Sequence, residues 1–484
     1  MKKLTLLKAL TFGSVDSESE ENLDKVYIQT KNFDEFIVPN TALLLGSKGA
    51  GKSAMYRLFT NFEPTARKMA NHAVDSVYFV SGIGFKDIPE MDDMQLINNI
   101  ESKVVSSEAA WKMYIAYKIV HGLYDNYEVC CGEKCKRVLQ KAHKIADHRL
   151  TALLSNLYEK IIGEAPKINQ IDFKEISIII GKSSKVSIYD LLSEVDAYLG
   201  QKGKTVWVLL DKIDELFVSD TNMRKECIEG LFMSYIDLIA RYKNIKFKIF
   251  LRTDIWKTLS FVNKSHLTDK TTTISWNATS LKELLIKRAI YSSAIHEYVC
   301  SIVGSSWKSQ IDRCFNLLFP EKVYSGPREA KTMSWLIDRS TDGLGGVYPR
   351  EIINFGNYAV QNELNKEVSL QEEIAPSTSI LSGTSIRDAY SFVSKVKVDS
   401  YLSEFSSLSA HFKRFAGQTT ADYTQEELIK LMAGLTPSGA EMIHQLHETG
   451  VIQYSTGEVL STISTISVPR LFRSGLGIVT LGRP

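Results

Sequence analysis

The chain has 484 residues, 44% of them hydrophobic and 24% charged, with 58 Lys and Arg against 56 Asp and Glu for a formal net charge of +2. Such a length suits about two to four domains with sizeable cores. The charge is too small to be an electrostatic footprint for nucleic acid, and no apolar run nears the roughly 20 residues that span a bilayer.

The opening "MKKLTLLKALTFG" has a basic start and a short apolar run. Lys8 interrupts that run and no small-residue cleavage site follows, so it is not read as an export signal. Six cysteines in a chain this long are too few for a disulfide framework, which points to a reducing cytoplasm. Residues 1–24 are expected to be a polar, acidic lead-in.

Ala42–Leu45 then form an apolar run suited to a buried parallel strand. It leads into Gly46, Ser47, Lys48, Gly49, Ala50, Gly51, Lys52 and Ser53, a complete G-x-x-x-x-G-K-[ST], followed by a helix with Met55, Leu58 and Phe59 on one side. Phosphate binding needs this order. The glycines let backbone N–H groups curl around phosphate oxygens, and the helix N-terminus adds the positive end of its dipole. Lys52 reaches the β- and γ-phosphates and Ser53 supplies a ligand for Mg²⁺. ATP is the expected nucleotide, because the guanine-reading N/T-K-x-D is missing: "NKSH" at Asn263–His266 puts His where Asp is needed.

Residues from about 87 to 163 read as a helical insertion, with Ala110, Met113, Ala116 and Tyr117 at helical spacing. It carries "CCGEKC" with Cys130, Cys131 and Cys135. Even with His143 or His148 the spacing fits no zinc template, so this is read as a loop between helices. "IIIGKSS" repeats the G-K-S at Gly181–Ser183, but Ile176 stands where the first glycine belongs and the flanks alternate like a hairpin.

"TVWVLLDKIDE", Thr205–Glu215, reads as a buried strand delivering Asp211 to Mg²⁺ through water, opposite the phosphate loop. Lys212 follows where many ATPases keep a glutamate. A cationic lysine cannot act as a general base at neutral pH, so it is read as a surface residue pointing away from Asp211's side. The carboxylates able to position a water come later, at Asp214 and Glu215. Glu215 is preferred for its longer reach, with capping of the next helix as the alternative role for both. Hydrolysis is expected, and slow. Phe247–Leu251 reads as another buried strand, ending in Arg252, Thr253 and Asp254.

Beyond Trp276 the pattern is helical, and Pro349 at the first turn of "PREIINF" is a good helix start. After a polar linker come two segments with capping-box spacing, Thr424/Glu427 and Ser438/Glu441, the second helix ending at Gly450. "VIQYSTGEVLSTISTISV" then alternates around Thr456–Gly457, a hairpin signal. Helix, helix and hairpin read as a winged helix. Its recognition helix would present Glu441, His444, Gln445, His447 and Glu448, with no Lys or Arg to neutralise phosphates. From Arg387 onward nine Lys and Arg balance nine Asp and Glu, so protein or intramolecular contacts are favoured over DNA.

The expected fold is therefore α/β: a P-loop NTPase core with a parallel sheet at 25–276, containing the insertion at about 87–163. A helical lid at 277–374, a linker at 375–385 and a winged-helix-like α+β domain at 386–484 follow. The P-loop and the D-x-x-D-E at 211–215 resemble the STAND-type signalling NTPases and the origin-recognition branch of AAA+ ATPases. More closely, with "FGSVDSESEEN" at Phe12–Asn22 and "VPRLFRSGLGIVTLGRP" at Val468–Pro484, the chain resembles a group of bacterial P-loop ATPases over nearly its whole length.

The leading expectation is a regulatory ATPase; the resemblance implies self-assembly as a homo-oligomer and a role in bacterial antiviral defence or in mobile-element biology. It implies that Arg252 is a sensor at the γ-phosphate, with an ordinary ion pair to Asp254 as the alternative. Pro349 would lie by the adenine and Arg350 would be a second sensor. Arg288 and Arg313 are candidates for an arginine donated to a neighbour's site. The rival readings are an ATP-controlled DNA-binding adaptor or loader, resting on the winged helix and on Arg470, Arg473 and Arg483, and a non-hydrolysing ATP-bound scaffold, resting on Lys212.

Overall fold

The chain forms the strands β1 (Leu43–Gly46), β2 (Val77–Gly82), β3 (Ser177–Ile180), β4 (Ser184–Ser187), β5 (Thr205–Leu210), β6 (Ile245–Arg252) and β7 (Thr271–Thr273), with apolar runs in β1, β2, β3, β5 and β6 and polar residues in β4 and β7. The computed structural model describes residues 2–85, 106–144, 177–180, 184–217, 220–366, 378–454 and 465–479. It divides into two units, one formed by Lys31–Gly46 and Lys52–Ile274, the other by Met1–Thr30, Ser47–Gly51 and Ser275–Pro484.

In the first unit, five strands make a sheet in the order β2-β5-β6-β1-β7, every pairing parallel. β3 and β4 pair antiparallel; the second G-K-S, Gly181–Ser183, lies outside the described residues. The sheet is covered on both faces, as parallel sheets require. Val206, Val208 and Leu210 face one core with the helices Ser107–Tyr127, Ile188–Gln201 and Thr221–Arg241. Trp207 points the other way, into rings from Phe36, Phe59 and Phe79 at 6.4, 6.4 and 5.8 Å between centroids.

The helix Ser107–Tyr127, within the stretch read as a helical insertion, buries Ala110, Trp111, Met113, Tyr114 and Ala116 in the core on one face of the sheet. The remainder of that stretch, 86–105 and 145–163, lies outside the described residues.

One core residue breaks the apolar pattern. Lys248 in β6 is fully buried, and its Nζ donates to the carbonyls of Phe36, Val38 and Thr41 at 2.5, 2.8 and 2.7 Å. It also sits 4.1 Å from the Trp207 ring centroid. A buried cation is tolerable only when so satisfied. Here it ties down the turn that leads into β1.

In the second unit the residues read as a polar, acidic lead-in also carry buried apolar side chains. Leu6, Leu7, Leu10 and Phe12 are buried. Gly13 adopts φ +73°, and a Cβ there would meet Glu20 Oε2 at 2.4 Å, so only glycine fits. Arg288, itself buried, donates Nη1 to Phe12 O, Ser14 O and Glu20 Oε2 at 2.7, 3.0 and 3.1 Å. These bonds explain the Phe-Gly and Glu20 of the opening motif physically: they clip the N-terminus to the helix Ala278–Ala289. They also commit Arg288 internally, which corrects its candidacy as a donor to a neighbour.

The tail motif works similarly. Leu471 and Phe472 are buried, Gly475 N donates to Ser394 Oγ at 2.7 Å, and Arg470 pairs with Asp338.

A smaller core near the C-terminus joins Tyr401, Phe412, Leu428, Met442, Leu446 and Phe472. Thr424 caps the helix Gln425–Leu431 reciprocally with Glu427. Ser438 makes no such side-chain bond, correcting the second capping box: Gly439 enters the next helix at φ +59°, which puts Ser438 out of register. Gly450, at φ +76°, ends that helix as expected. β8 (Asp422–Tyr423) and β9 (Ile466–Ser467) pair antiparallel, with Gln453 bridged to Ser467. The Thr456–Gly457 turn lies outside the described residues.

Glu363 is the polar hub of this unit. Nearly fully buried, it accepts from Lys3 Nζ at 2.5 Å, from Ser382 Oγ at 2.6 Å and from Ser385 Oγ. Burial pushes its carboxyl up, but these bonds outweigh it and hold the pKa at about 2 against 4.5. The stability this supplies is complete above about pH 4.5 and is lost as pH falls toward 2. Denaturant titrations of wild type and Glu363→Gln should differ by up to roughly 3 kcal/mol at pH 7 and converge near pH 2.

Candidate nucleotide-binding site

The two motif-bearing strands are not neighbours. β6 lies between β1, which runs into the phosphate loop, and β5, which ends before Asp211. The register pairs Gly46 with Arg252 and Leu210 with Ile249, so β6 outruns β5 and projects Arg252 beyond the row where β5 stops. All these groups sit at the carboxyl ends of parallel strands, the usual ligand crevice of an open α/β sheet.

Lys52 opens the helix Lys52–Thr60, and its Nζ donates to Gly46 O at 2.8 Å. Burial lowers its pKa most. Asp214 and then Asp211 oppose that, Arg252 adds to it, and Asp254 opposes it. Two cations and three carboxylates thus share one cluster.

Asp211 is 3% exposed, and burial raises its carboxyl to about 6, against the opposing bonds from the Ser53 hydroxyl and the Lys212 N–H. Its Oδ2 is buried with no hydrogen-bond partner among the described residues. An orphaned carboxylate oxygen next to a serine hydroxyl fits a hard divalent cation such as Mg²⁺, which takes oxygen ligands. Burial of an unmatched charge has a stability consequence. Folding favours the protonated carboxyl, whose contribution is complete below about pH 4 and lost as pH rises through about 6. Asp211→Asn should therefore be more stable than wild type at pH 8, by at most roughly 3 kcal/mol in a denaturant melt, with no advantage at pH 4.

Lys212 adopts φ +58°, in the left-handed region that lysine seldom occupies. It heads a short 3₁₀ turn, Ile213–Glu215, with Glu215 N donating back to Lys212 O at 3.0 Å. The kink ends the strand direction and returns Asp214, not Glu215, to the cluster. Asp214 Oδ2 lies 4.0 Å from Arg252 Nε, while Glu215 is exposed. Arg252 forks onto Asp254, with Nε to Oδ1 at 3.0 Å and Nη2 to Oδ2 at 2.7 Å.

The loop tip, Ser47–Gly51, is grouped with the second unit and makes its contacts there. Tyr348 OH donates to Ser47 Oγ at 2.8 Å and Trp276 Nε1 to Ala50 O at 2.9 Å, while Lys48 pairs with Glu404 at 3.1 Å. Gly49 and Gly51 lie at φ +84° and +104°, and a Cβ on Gly49 would come within 2.9 Å of Arg350 Cβ. Arg350 therefore lies against the loop. Pro349 is buried at the first turn of the helix Pro349–Leu364.

Tyr348 and Trp276 were not singled out from the sequence. The available signal was an aromatic with a polar tip placed directly beside a feature already marked, Pro349 in one case and the end of the core in the other.

Cys130 is exposed, Cys131 half-buried and Cys135 buried, and among the described residues no group of three His, Cys, Asp or Glu is placed to hold a metal. The His143 side chain and His148 lie outside those residues. Among the described residues no helix is long and apolar enough to cross a membrane.

No family model matches the chain, and no curated protein does either. Among solved structures it is similar to the Aeropyrum pernix ORC2 protein in ADPNP–ADP complexes, at 12% identity and TM-score 0.38, covering 95% of this chain and 92% of that one. The Aeropyrum pernix ORC1 protein in complex with DNA is 11% identical at TM-score 0.34, covering 92% and 90%. Cdc6p from Pyrobaculum aerophilum is 12% identical at TM-score 0.25, covering 90% and 87%. The site is therefore read from its own residues.

Proposed function

We propose that the chain is a Mg²⁺-dependent ATPase that turns over slowly and acts as a regulatory, self-assembling switch. The observation that carries this reading is the half-buried Lys52 on the Gly46 carbonyl together with the buried Asp211 and its unpartnered oxygen, at the ends of the two strands that flank β6. In the ATP complex Lys52 would leave Gly46 O for the β- and γ-phosphates, and the amides of 46–53 would line the phosphate oxygens. Ser53 and Asp211 would hold Mg²⁺, which when bound neutralises charge developing on the transferred group. Asp214 is the better-placed group to orient water, and Arg252 would meet the γ-phosphate. Arg350 against Gly49 would act as the second sensor.

The nucleotide's differential contacts with open and closed states would supply the switch. In support of protein rather than DNA contacts for the winged-helix-like C-terminal domain, Arg470 is committed to Asp338, and Arg473 Nε donates to Val468 O at 2.8 Å. Phosphate release with Mg²⁺ and ATP, with EDTA as control, tests the activity. Metal-dependent release is expected; none, from folded protein, would leave only a scaffold.

A further inference from the structure

Arg252 is held by its own chain. Two of its nitrogens are engaged by one carboxylate, that of Asp254, and a fork of this kind fixes the plane of the guanidinium as well as its position. The side chains of Arg252 and Asp254 are only 17% and 26% exposed, so this is not a solvated surface pair. Asp214 approaches the same guanidinium from the turn after β5, but at 4.0 Å, which is ion-pair range and too long for a hydrogen bond. The arginine is thus anchored by a residue two positions along its own chain and merely faced by the carboxylate that would orient water. A long, flexible arginine side chain loses much rotamer freedom when it is fixed. Fixing it through a neighbour in its own chain removes that cost from the moment of reaction.

We propose that Asp254 is a positioning residue for Arg252, serving turnover and not ATP affinity: its fork holds the guanidinium beside Asp214 and Lys52, where charge on the transferred phosphoryl group would develop. This rests on the reading of the site as an ATPase. Merely structural pairing would show as lost melting temperature with unchanged turnover by the folded fraction. Positioning shows instead as a fall in kcat at constant KM.

The experiment compares single-turnover phosphate release and direct ATP binding for wild type, Arg252→Ala, Asp254→Ala, Asp254→Asn and the Arg252→Ala/Asp254→Ala double variant. Asp254→Ala should lose about tenfold in kcat with ATP affinity close to wild type, and the double variant should lose no more than Arg252→Ala alone. Asp254→Asn keeps the shape and should fall between. Wild-type kcat in Asp254→Ala, or a double-variant loss equal to the product of the single losses, would overturn the inference alone. Folded wild type with no turnover would overturn the ATPase reading and this inference with it.

Discussion

Lys52→Ala should abolish measurable ATP binding while leaving a folded protein. Its ammonium, now on Gly46 O at 2.8 Å, is the cation set to meet the β- and γ-phosphates. Asp211, Asp214 and Asp254 all act on it electrostatically. Removing it leaves those carboxylates facing an incoming polyanion with Arg252, already forked onto Asp254, as the cation of that cluster. A charge-assisted bond contributes about 1.5–3 kcal/mol, or roughly 10- to 150-fold in affinity, before the added repulsion. Lys52→Arg should not restore binding, since the planar guanidinium cannot replace a compact ammonium in that position. Equilibrium dialysis with ATP and Mg²⁺, alongside a thermal melt, checks both parts.

Asp214→Asn should bind ATP with near-wild-type affinity and turn over about 100-fold more slowly, the scale of a lost general base. Glu215→Gln should stay close to wild type. The reason is local geometry: the left-handed Lys212 starts a tight turn that carries Asp214 to within 4.0 Å of Arg252 and leaves Glu215 exposed. Phosphate release under single-turnover conditions separates the two variants. A slow Glu215→Gln with a normal Asp214→Asn would reinstate the longer side chain as the base.

The same residue explains where sequence reasoning reached its end. The strand, loop and helix around Gly46–Ser53 were legible because each signal is local: an apolar run, a glycine pattern, then buried Met55, Leu58 and Phe59 at helical spacing. The choice between Asp214 and Glu215 hung on one φ angle at a lysine, which no propensity reports. Lys248 was equally opaque, because its three carbonyl partners come from a turn about 210 residues earlier. The acids of the N-terminal segment gave no hint of a partner, yet Glu20 is matched by Arg288, 268 residues away. That β6 would separate β1 from β5, and so set Arg252 beside Gly46 at the end of β1, is a matter of non-local pairing that periodicity leaves open.

Isothermal calorimetry of ATP into the purified, folded wild-type protein, with Mg²⁺ present and then chelated, decides whether the cluster around Lys52 and Asp211 is a nucleotide site. Saturable uptake of one ATP per chain that weakens markedly on chelation is the expected result. A flat titration in the presence of Mg²⁺ from protein with an intact melting transition would contradict it.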